Sequence, residues 1–410
     1  MVVRSPHLYR ALRLFCLAAF ARLTAEAERS PVPFAFEEHA APGRPSLYEY
    51  RPLVRGYVEA RARSLATLED AVIALDELIR EPAAGVFAQA HAGAQAQLRP
   101  GLFTTVLLPL VTAVADACGG FDWDDGAFRR AYAGFEETLY AERRTYSALA
   151  PLVGLMVRSR TELGGGAAVR PVVRGELATL WPEARGLLPR DFEREPHRAS
   201  VVELQRDVEA AASSLPDAPG EVGDAVTALR LALPGPIAAG PVIFERLDWR
   251  PVGIRPVLPV SGGEPPGEPT RLDEFRARLV RDLLERTPTI DDDPELGEAL
   301  DRWELSLLQS EPFRSEQLRE SLAALLGGQD GLFAASVRAA VLLGETGQER
   351  AELLAALRGG DPDPDTMRRA IVEAVMHGDR ERLIARLDES ILGLRPRPPS
   401  YFAARAVAAG

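Results

Sequence analysis

The sequence predicts a mainly α-helical protein, and three observations carry that expectation. Apolar residues recur at the 3.6-residue spacing of a buried helix face through roughly the first 160 residues and again after residue 269. Helix-capping patterns such as Thr346-x-x-Glu349 punctuate the second of these stretches. Between the two, Gly and Pro break residues 164–269 so often that no single period holds. A chain of 410 residues is longer than one hydrophobic core usually organises. The expected division is a largely helical N-terminal region at 1–163, a mixed, irregular, Pro/Gly-rich middle segment with a linker at 164–269, a helical bundle at 270–395 and a tail at 396–410.

The first helix is amphipathic: Leu8, Ala11, Leu12, Phe15, Ala18 and Ala19 share a face, and Arg10, Arg13 and Arg22 interrupt what would otherwise resemble a signal sequence. Tyr57 to Arg80 reads as a helix limited by Pro82. Leu98 to Ala117 is almost wholly apolar and reads as a buried helix with Pro109 at a kink or start. Ala127 to Ala148 keeps helical spacing through Phe128, Tyr132, Phe135, Leu139 and Tyr146. In the middle segment a few short strands are expected, with helices near Ser200 to Ser213 and Glu221 to Leu233. The first of these helices is inferred from the capping-box pattern Ser200-Val-Val-Glu203. Ser261 to Pro269 is the best linker in the chain.

Six helices follow that linker, which describes a bundle. One carries Leu279 and Leu283; one follows Pro294 with Leu296, Leu300 and Trp303; one is capped by Ser315 and stopped at Gly327-Gly328. Leu332 to Leu343 holds only Ser336 and Arg338 as polar residues, so it should be the buried central helix. Thr346 caps the fifth, and Asp365 caps the sixth, which ends at Gly378.

Composition excludes several classes of chemistry. There are 60 acidic and 48 basic residues, a formal net charge of -12, and every basic residue is Arg because the chain holds no Lys; it holds no Asn either. A phosphate-binding loop lysine, a Schiff-base lysine and an Asn oxyanion donor are therefore ruled out. The acidic balance argues against electrostatic coating of nucleic acid, which needs clustered cations to replace counterions. Cys16 and Cys118 are too few and too separated for a disulfide framework or a zinc site, so a reduced cytoplasmic setting is expected. No HExxH, CxxC, GxSxG, GxxxxGK[ST] or GxGxxG pattern occurs, and no cofactor or metal is implied.

Two acidic patterns read as helix caps: Asp122, Asp124 and Asp125 before a helix start, and Asp361-Pro-Asp363-Pro-Asp365, which lacks the Gly and Glu of a calcium loop. Of the five histidines, His7, His39, His91, His197 and His377, the last has company. Arg369, Glu373 and His377 fall at i, i+4 and i+8, on one helix face. Glu373 could hold Arg369 and orient the His377 imidazole, an acid/base arrangement; the plain alternative is a polar stripe ending in a cation at a helix C-terminus.

The runs EALDRWELSLLQSEPFRSEQLRESLAALLGG at 298–328, LFAASVRAAVLLGETGQERAELLAALR at 332–358 and VEAVMHGDR at 372–380 together resemble the Apea-like HEPN domain, above all in the phrases RAAVLLGE and VMHGD. The resemblance covers about a third of the chain, from Thr270 to Arg395. It implies a helical bundle that commonly dimerises and, in active members, a metal-independent ribonuclease whose signature is an Arg followed, after four to six intervening residues, by a His on one helix. His377 carries over, with Gly378 after it; Arg369 lies one residue outside that window, and Ala370, Ile371 and Val372 fill it. The resemblance therefore points to a HEPN-like protein acting by association or RNA-related binding without efficient catalysis, in a setting such as bacterial defence or toxin–antitoxin pairs. Two alternatives stay open: an endoribonuclease using His377 with a shifted Arg369, and a helical scaffold with no nucleic-acid role. A homodimer is the expected assembly, no membrane is implied, and RNA is disfavoured by charge: residues 271–395 hold 26 acidic side chains against 17 Arg.

Overall fold

The computed structural model describes residues 3–39, 47–92, 97–141, 143–173, 175–181, 184–189, 192, 199–209, 215–248, 250–359 and 363–401. The chain opens with α1 (Pro6–Ala27), a hairpin of β1 (Phe34–His39) and β2 (Leu47–Pro52), and the helices α2 (Val54–Glu59), α3 (Ala62–Ala66), α4 (Glu69–Arg80), α5 (Pro82–Ala92), α6 (Leu98–Leu102), α7 (Leu108–Cys118) and α8 (Asp125–Leu139). These helices close over one core built on Leu8, Leu12, Phe15, Phe87, Val111 and Phe128. The stretch expected as a single helix from Tyr57 to Arg80 is divided into α2, α3 and α4. Between α6 and α7 the backbone widens into a π-turn at Phe103–Leu107, where the Leu108 N–H reaches back to Phe103 O. Pro109 explains the widening, because it has no N–H with which to continue the i→i−4 ladder. Leu98–Cys118 is long and apolar enough to cross a membrane, but it is 67% buried, packed as a core helix of this unit.

The main correction concerns the middle of the chain, which is a sheet. Strands β3 (Arg143–Val153), β4 (Leu155–Met156), β5 (Thr161–Gly164), β6 (Ala167–Pro171) and β7 (Ala199–Glu209) are followed by β8 (Ala238–Ala239), β9 (Val242–Leu247) and β10 (Arg250–Pro256). Seven of them form one antiparallel sheet of order β10-β9-β3-β7-β6-β5, with β8 also on β3. The mainly α reading with a C-terminal all-helical bundle is therefore replaced by a mixed α/β architecture. Ser200 to Glu209 is a central strand, paired in register with β3 from Ala199–Val153 to Glu209–Arg143, and not a capped helix. Likewise the helical spacing from Ala127 ends at Leu139, and Tyr146 stands in β3.

Local chemistry explains how β3 tolerates a proline. Pro151 accepts a hydrogen bond at its carbonyl from the Gly240 N–H (2.7 Å), so its missing N–H faces the same side, in the gap between β9, which ends its pairing at Leu149, and β8, which begins at Leu152. No ladder bond is lost there.

The sheet is the middle layer. Four further helices belong to this part of the chain: α9 (Glu176–Leu180), α10 (Ala184–Leu187), α11 (Ala218–Ala232) and α12 (Pro259–Gly262). One face carries Leu149, Val201 and Phe244 against Leu177 of α9, Ala184 of α10 and Trp181 just after α9. The other carries Tyr146, Ala150, Val202 and Ile243 against α11 and the C-terminal helices. Those are α13 (Glu274–Leu284), α14 (Thr287–Asp291), α15 (Pro294–Leu308), α16 (Phe313–Leu326), α17 (Gly331–Leu343), α18 (Gly347–Gly359), α19 (Pro364–His377) and α20 (Arg380–Ile391), entered through β11 (Thr270–Arg271), which pairs parallel with β4. One continuous core thus runs from the strands through Val222, Val226 and Leu229 to Leu279, Trp303 and Ile371, across position 270. The supposed linker is pinned as well: the Arg230 guanidinium donates to Val260 O and Gly263 O, and Ser261 is buried.

Helix α17 is less central than its composition implies. Ala335, Ala339 and Leu342 are buried, but Phe333 is 61% exposed under the Arg358 guanidinium, and Val337 and Val341 are only half-buried. The N-terminal unit meets the sheet through a buried polar contact in which Asp248 Oδ2 lies 3.6 Å from both His91 Nε2 and Arg144 Nη1. Asp248 has φ +54°, and its Oδ1 accepts from the Thr145 N–H (2.9 Å), which holds the β9–β10 turn in place.

Candidate functional site

Helix α19 carries the three residues singled out in the sequence, and the structure gives each a separate job. Its start is set by Asp363, not Asp365: the Asp363 carboxylate accepts from the Thr366 N–H, and Pro364 sits where no N–H is needed. Asp365 instead pairs with Arg368 (2.8 Å). Its end is set by Gly378, which takes the left-handed conformation at φ +78° that glycine adopts freely. Asp379 then caps α20 by accepting from the Arg382 N–H (2.9 Å), and His377 Nδ1 lies 3.1 Å from Asp379 O across the same turn.

Glu373 is buried, 5% exposed, and its two carboxylate oxygens accept from the Ser400 hydroxyl (2.5 Å) and the Tyr401 backbone N–H (2.8 Å). The tail is thus seated on the very face proposed for catalysis. The Tyr401 hydroxyl donates to Asp282 on α13 (2.8 Å), and Arg397 donates to Gly344 O at the end of α17 (2.8 Å). Arg369 is half-buried and turned toward the start of α18. There the Glu349 carboxyl is held below its usual range, first by the N–H groups of Glu345 and Thr346 and to a smaller extent by Arg397 and Arg369. The expected arrangement, with Glu373 clamping Arg369 and orienting His377, is corrected: Glu373 holds the tail, His377 closes a turn, and Arg369 faces another helix. Of the other sequence candidates, Asp124 caps α8 through the N–H groups of Gly126 and Ala127, while Asp361 and His197 lie outside the described residues.

At the opposite end of α19 lies a cavity of about 290 Å³ that sequence reasoning missed. It is bounded by the end of α11, by Pro265 and Pro266, by Trp303 and Leu307 of α15, and by the first turn of α19. Three guanidiniums line it, those of Arg230, Arg314 and Arg368. Arg230, 1% exposed, donates to Ile237 O, Val260 O, Gly263 O and Glu304, which uses four of its five N–H donors. Glu304 is buried with it, and burial raises its carboxyl above the usual range while Arg230 opposes the shift. Arg368 donates to Asp365 and to Leu231 O (2.7 Å). Arg314 differs: its Nε donates to Gln309 O (3.0 Å), and neither of its terminal nitrogens has a partner among the described residues. One signal for this site was present in the sequence, an Arg at 230 inside the apolar run of α11, where an isolated cation must find buried acceptors.

Compared with protein-family models, with curated proteins and with solved structures, the chain matches none of them.

Proposed function

We propose that this chain works by association, as a non-catalytic binding protein, and not as a ribonuclease. The observation that carries the reading is the commitment of Glu373 to Ser400 and Tyr401. General acid–base catalysis needs a base within reach of a substrate proton and a group that orients it. Glu373 is buried beneath the tail and has no face for a substrate, and His377 is engaged with Asp379 O. A phosphate approaching the exposed end of α19 would meet Asp379 and, on the whole chain, a net charge of -12.

The test is cleavage of labelled single-stranded and structured RNA, without added metal, by the purified chain and by His377→Ala and Arg369→Ala. The expected result is no cleavage that depends on either side chain. Robust cleavage abolished by both substitutions would sink the non-catalytic reading and put the shifted Arg369–His377 pair in its place.

A further inference from the structure

We propose that the cavity beneath the first turn of α19 is a binding site for a small organic oxyanion, a carboxylate or phosphate monoester on a phenyl- to indolyl-sized apolar body, with Arg314 as its recognition residue. The argument starts from charge matching. Asp365 is neutralised by Arg368, and Asp363 is engaged by the Thr366 N–H and hydroxyl at the helix start. Arg230 is matched by Glu304. That leaves Arg314 as the lining cation without a carboxylate among the described residues, in a chain whose other charges are predominantly negative.

Geometry adds the choice of ligand. With Nε fixed on Gln309 O, the guanidinium plane is held at one edge while both terminal nitrogens remain available, a fork that suits two oxygens of one carboxylate or phosphate. Beside the charged side chains of Arg230, Arg368, Asp363 and Asp365, the wall has an apolar part: Leu233, Pro265, Pro266, Trp303 and Leu307 offer hydrocarbon, with the Trp303 N–H already given to Pro364 O (3.0 Å). In a small-molecule site the apolar part of the wall supplies affinity for the ligand body and the charged group fixes its orientation. An oxyanion with no apolar body would leave that wall wet, and a cation would meet Arg314 unfavourably. This proposal is independent of whether α19 catalyses anything, since none of Arg369, Glu373 and His377 lines the cavity.

The test is ligand-observed NMR and calorimetry on the full chain with phenylacetate, phenyl phosphate, the neutral 2-phenylacetamide and the cationic phenethylamine. Phenylacetate or phenyl phosphate should bind saturably, at least tenfold tighter than the amide, and the amine should not bind; the tighter of the two anions identifies the headgroup. Arg314→Gln should lower anion affinity tenfold or more while leaving the amide unchanged. Leu307→Trp, which fills the cavity, should abolish both, with an unaltered thermal melt showing that the variant is folded. Should Leu307→Trp not fold, Arg314→Gln alone decides, since Arg314 is held by one main-chain contact at the start of α16. Equal binding of anion and amide, affinity unmoved by Arg314→Gln, or no saturable binding of either anion would each overturn the proposal.

Discussion

Arg338→Leu is the substitution that best tests how the C-terminal helices are held. Arg338 sits on α17, 5% exposed, and its guanidinium makes five contacts. Nη1 donates to Leu326 O (2.8 Å) and Gly327 O (2.9 Å), which are free carbonyls at the end of α16. Nε and Nη2 grip the two oxygens of Asp388 on α20 (2.7 and 2.9 Å), and Nη2 also reaches Asp330 (2.6 Å). Leucine would leave both carbonyls without a donor, at about 1–2 kcal/mol each for buried acceptors. The two aspartates are 40% and 63% exposed, so water takes them back and each lost pair costs less than ~1 kcal/mol. Added hydrocarbon burial offsets about 1–2 kcal/mol of this. The net expectation is a loss of ~2–4 kcal/mol. Urea denaturation followed by tryptophan fluorescence, with Trp303 in the same core, and by circular dichroism measures it. Arg382→Leu on the exposed face of α20 is the control and should lie within about 0.5 kcal/mol of the parent. If the two variants are equally stable, the carbonyl clamp contributes nothing and the reasoning is wrong.

A fragment from Thr270 to Gly410 should give a broad, non-cooperative melt, because Leu279, Trp303 and Ile371 bury themselves against Val222, Val226 and Leu229; a sharp two-state transition would show the shared core to be dispensable. Asp224, whose carboxyl is lifted from 3.8 to about 6 by partial desolvation first and then by Asp291, Glu221, Asp217 and Glu304, destabilises the fold when ionised. That penalty is absent below pH ~4 and complete above pH ~6, so Asp224→Asn should stabilise the chain by about 1 kcal/mol at pH 7.5 and by nothing at pH 4, the magnitude being reduced because Asp224 is exposed and screened; equal effects at both pH values would refute the electrostatic cause. At the end of α19, His377→Ala should cost less than ~0.5 kcal/mol as a half-buried turn contact. Gly378→Ala should cost about 1 kcal/mol through its positive φ alone, since a Cβ there meets nothing within 4 Å; thermal melts of the two variants in the reverse order would mean that the histidine and not the glycine sets the turn.

The helices were legible where one face is buried and one is wet. For α1, α11, α13, α15 and α19 the apolar period agrees with the structure to within a few residues. The sheet was illegible for a physical reason: β3 is buried on both faces over most of its length, so no alternation marks it, and its Ala148, Ala150 and Pro151 carry no β preference. At β7 a local signal opposed the tertiary one, since Ser200-Val-Val-Glu203 has the spacing of a capping box yet pairs residue for residue with β3. The cap at Thr346 succeeded because nothing competes for those backbone groups: Thr346 and Glu349 exchange reciprocal hydrogen bonds as the box requires, whereas at α19 the cap is Asp363, two residues before the expected Asp365. As for the candidate site, spacing placed Arg369, Glu373 and His377 on one helix but could not show that residues 27 and 28 positions downstream of Glu373 would occupy its carboxylate. The phrase VMHGD is explained by its turn, with glycine at a left-handed position and aspartate at a cap.

The absence of lysine bears on all of this. An ammonium offers three donors around one point, whereas a guanidinium offers five in a plane and can bridge several acceptors at once. The buried arginines here act in that second way. Arg230 draws Ile237 O, Val260 O and Gly263 O together, Arg338 closes the end of α16, and Arg380 ties Asp293 and Glu295 at the start of α15 to Ala324 O on α16. Each replaces a helix-end or loop partner that the backbone does not supply itself. A count of basic residues therefore overstates the cations available to an anionic ligand, because these side chains are consumed within the fold. What distinguishes Arg314 is that a single main-chain carbonyl holds its guanidinium while that guanidinium lines the cavity. A structural arginine so lightly used would ordinarily turn out to water, and its position on the cavity wall is where a ligand would account for it.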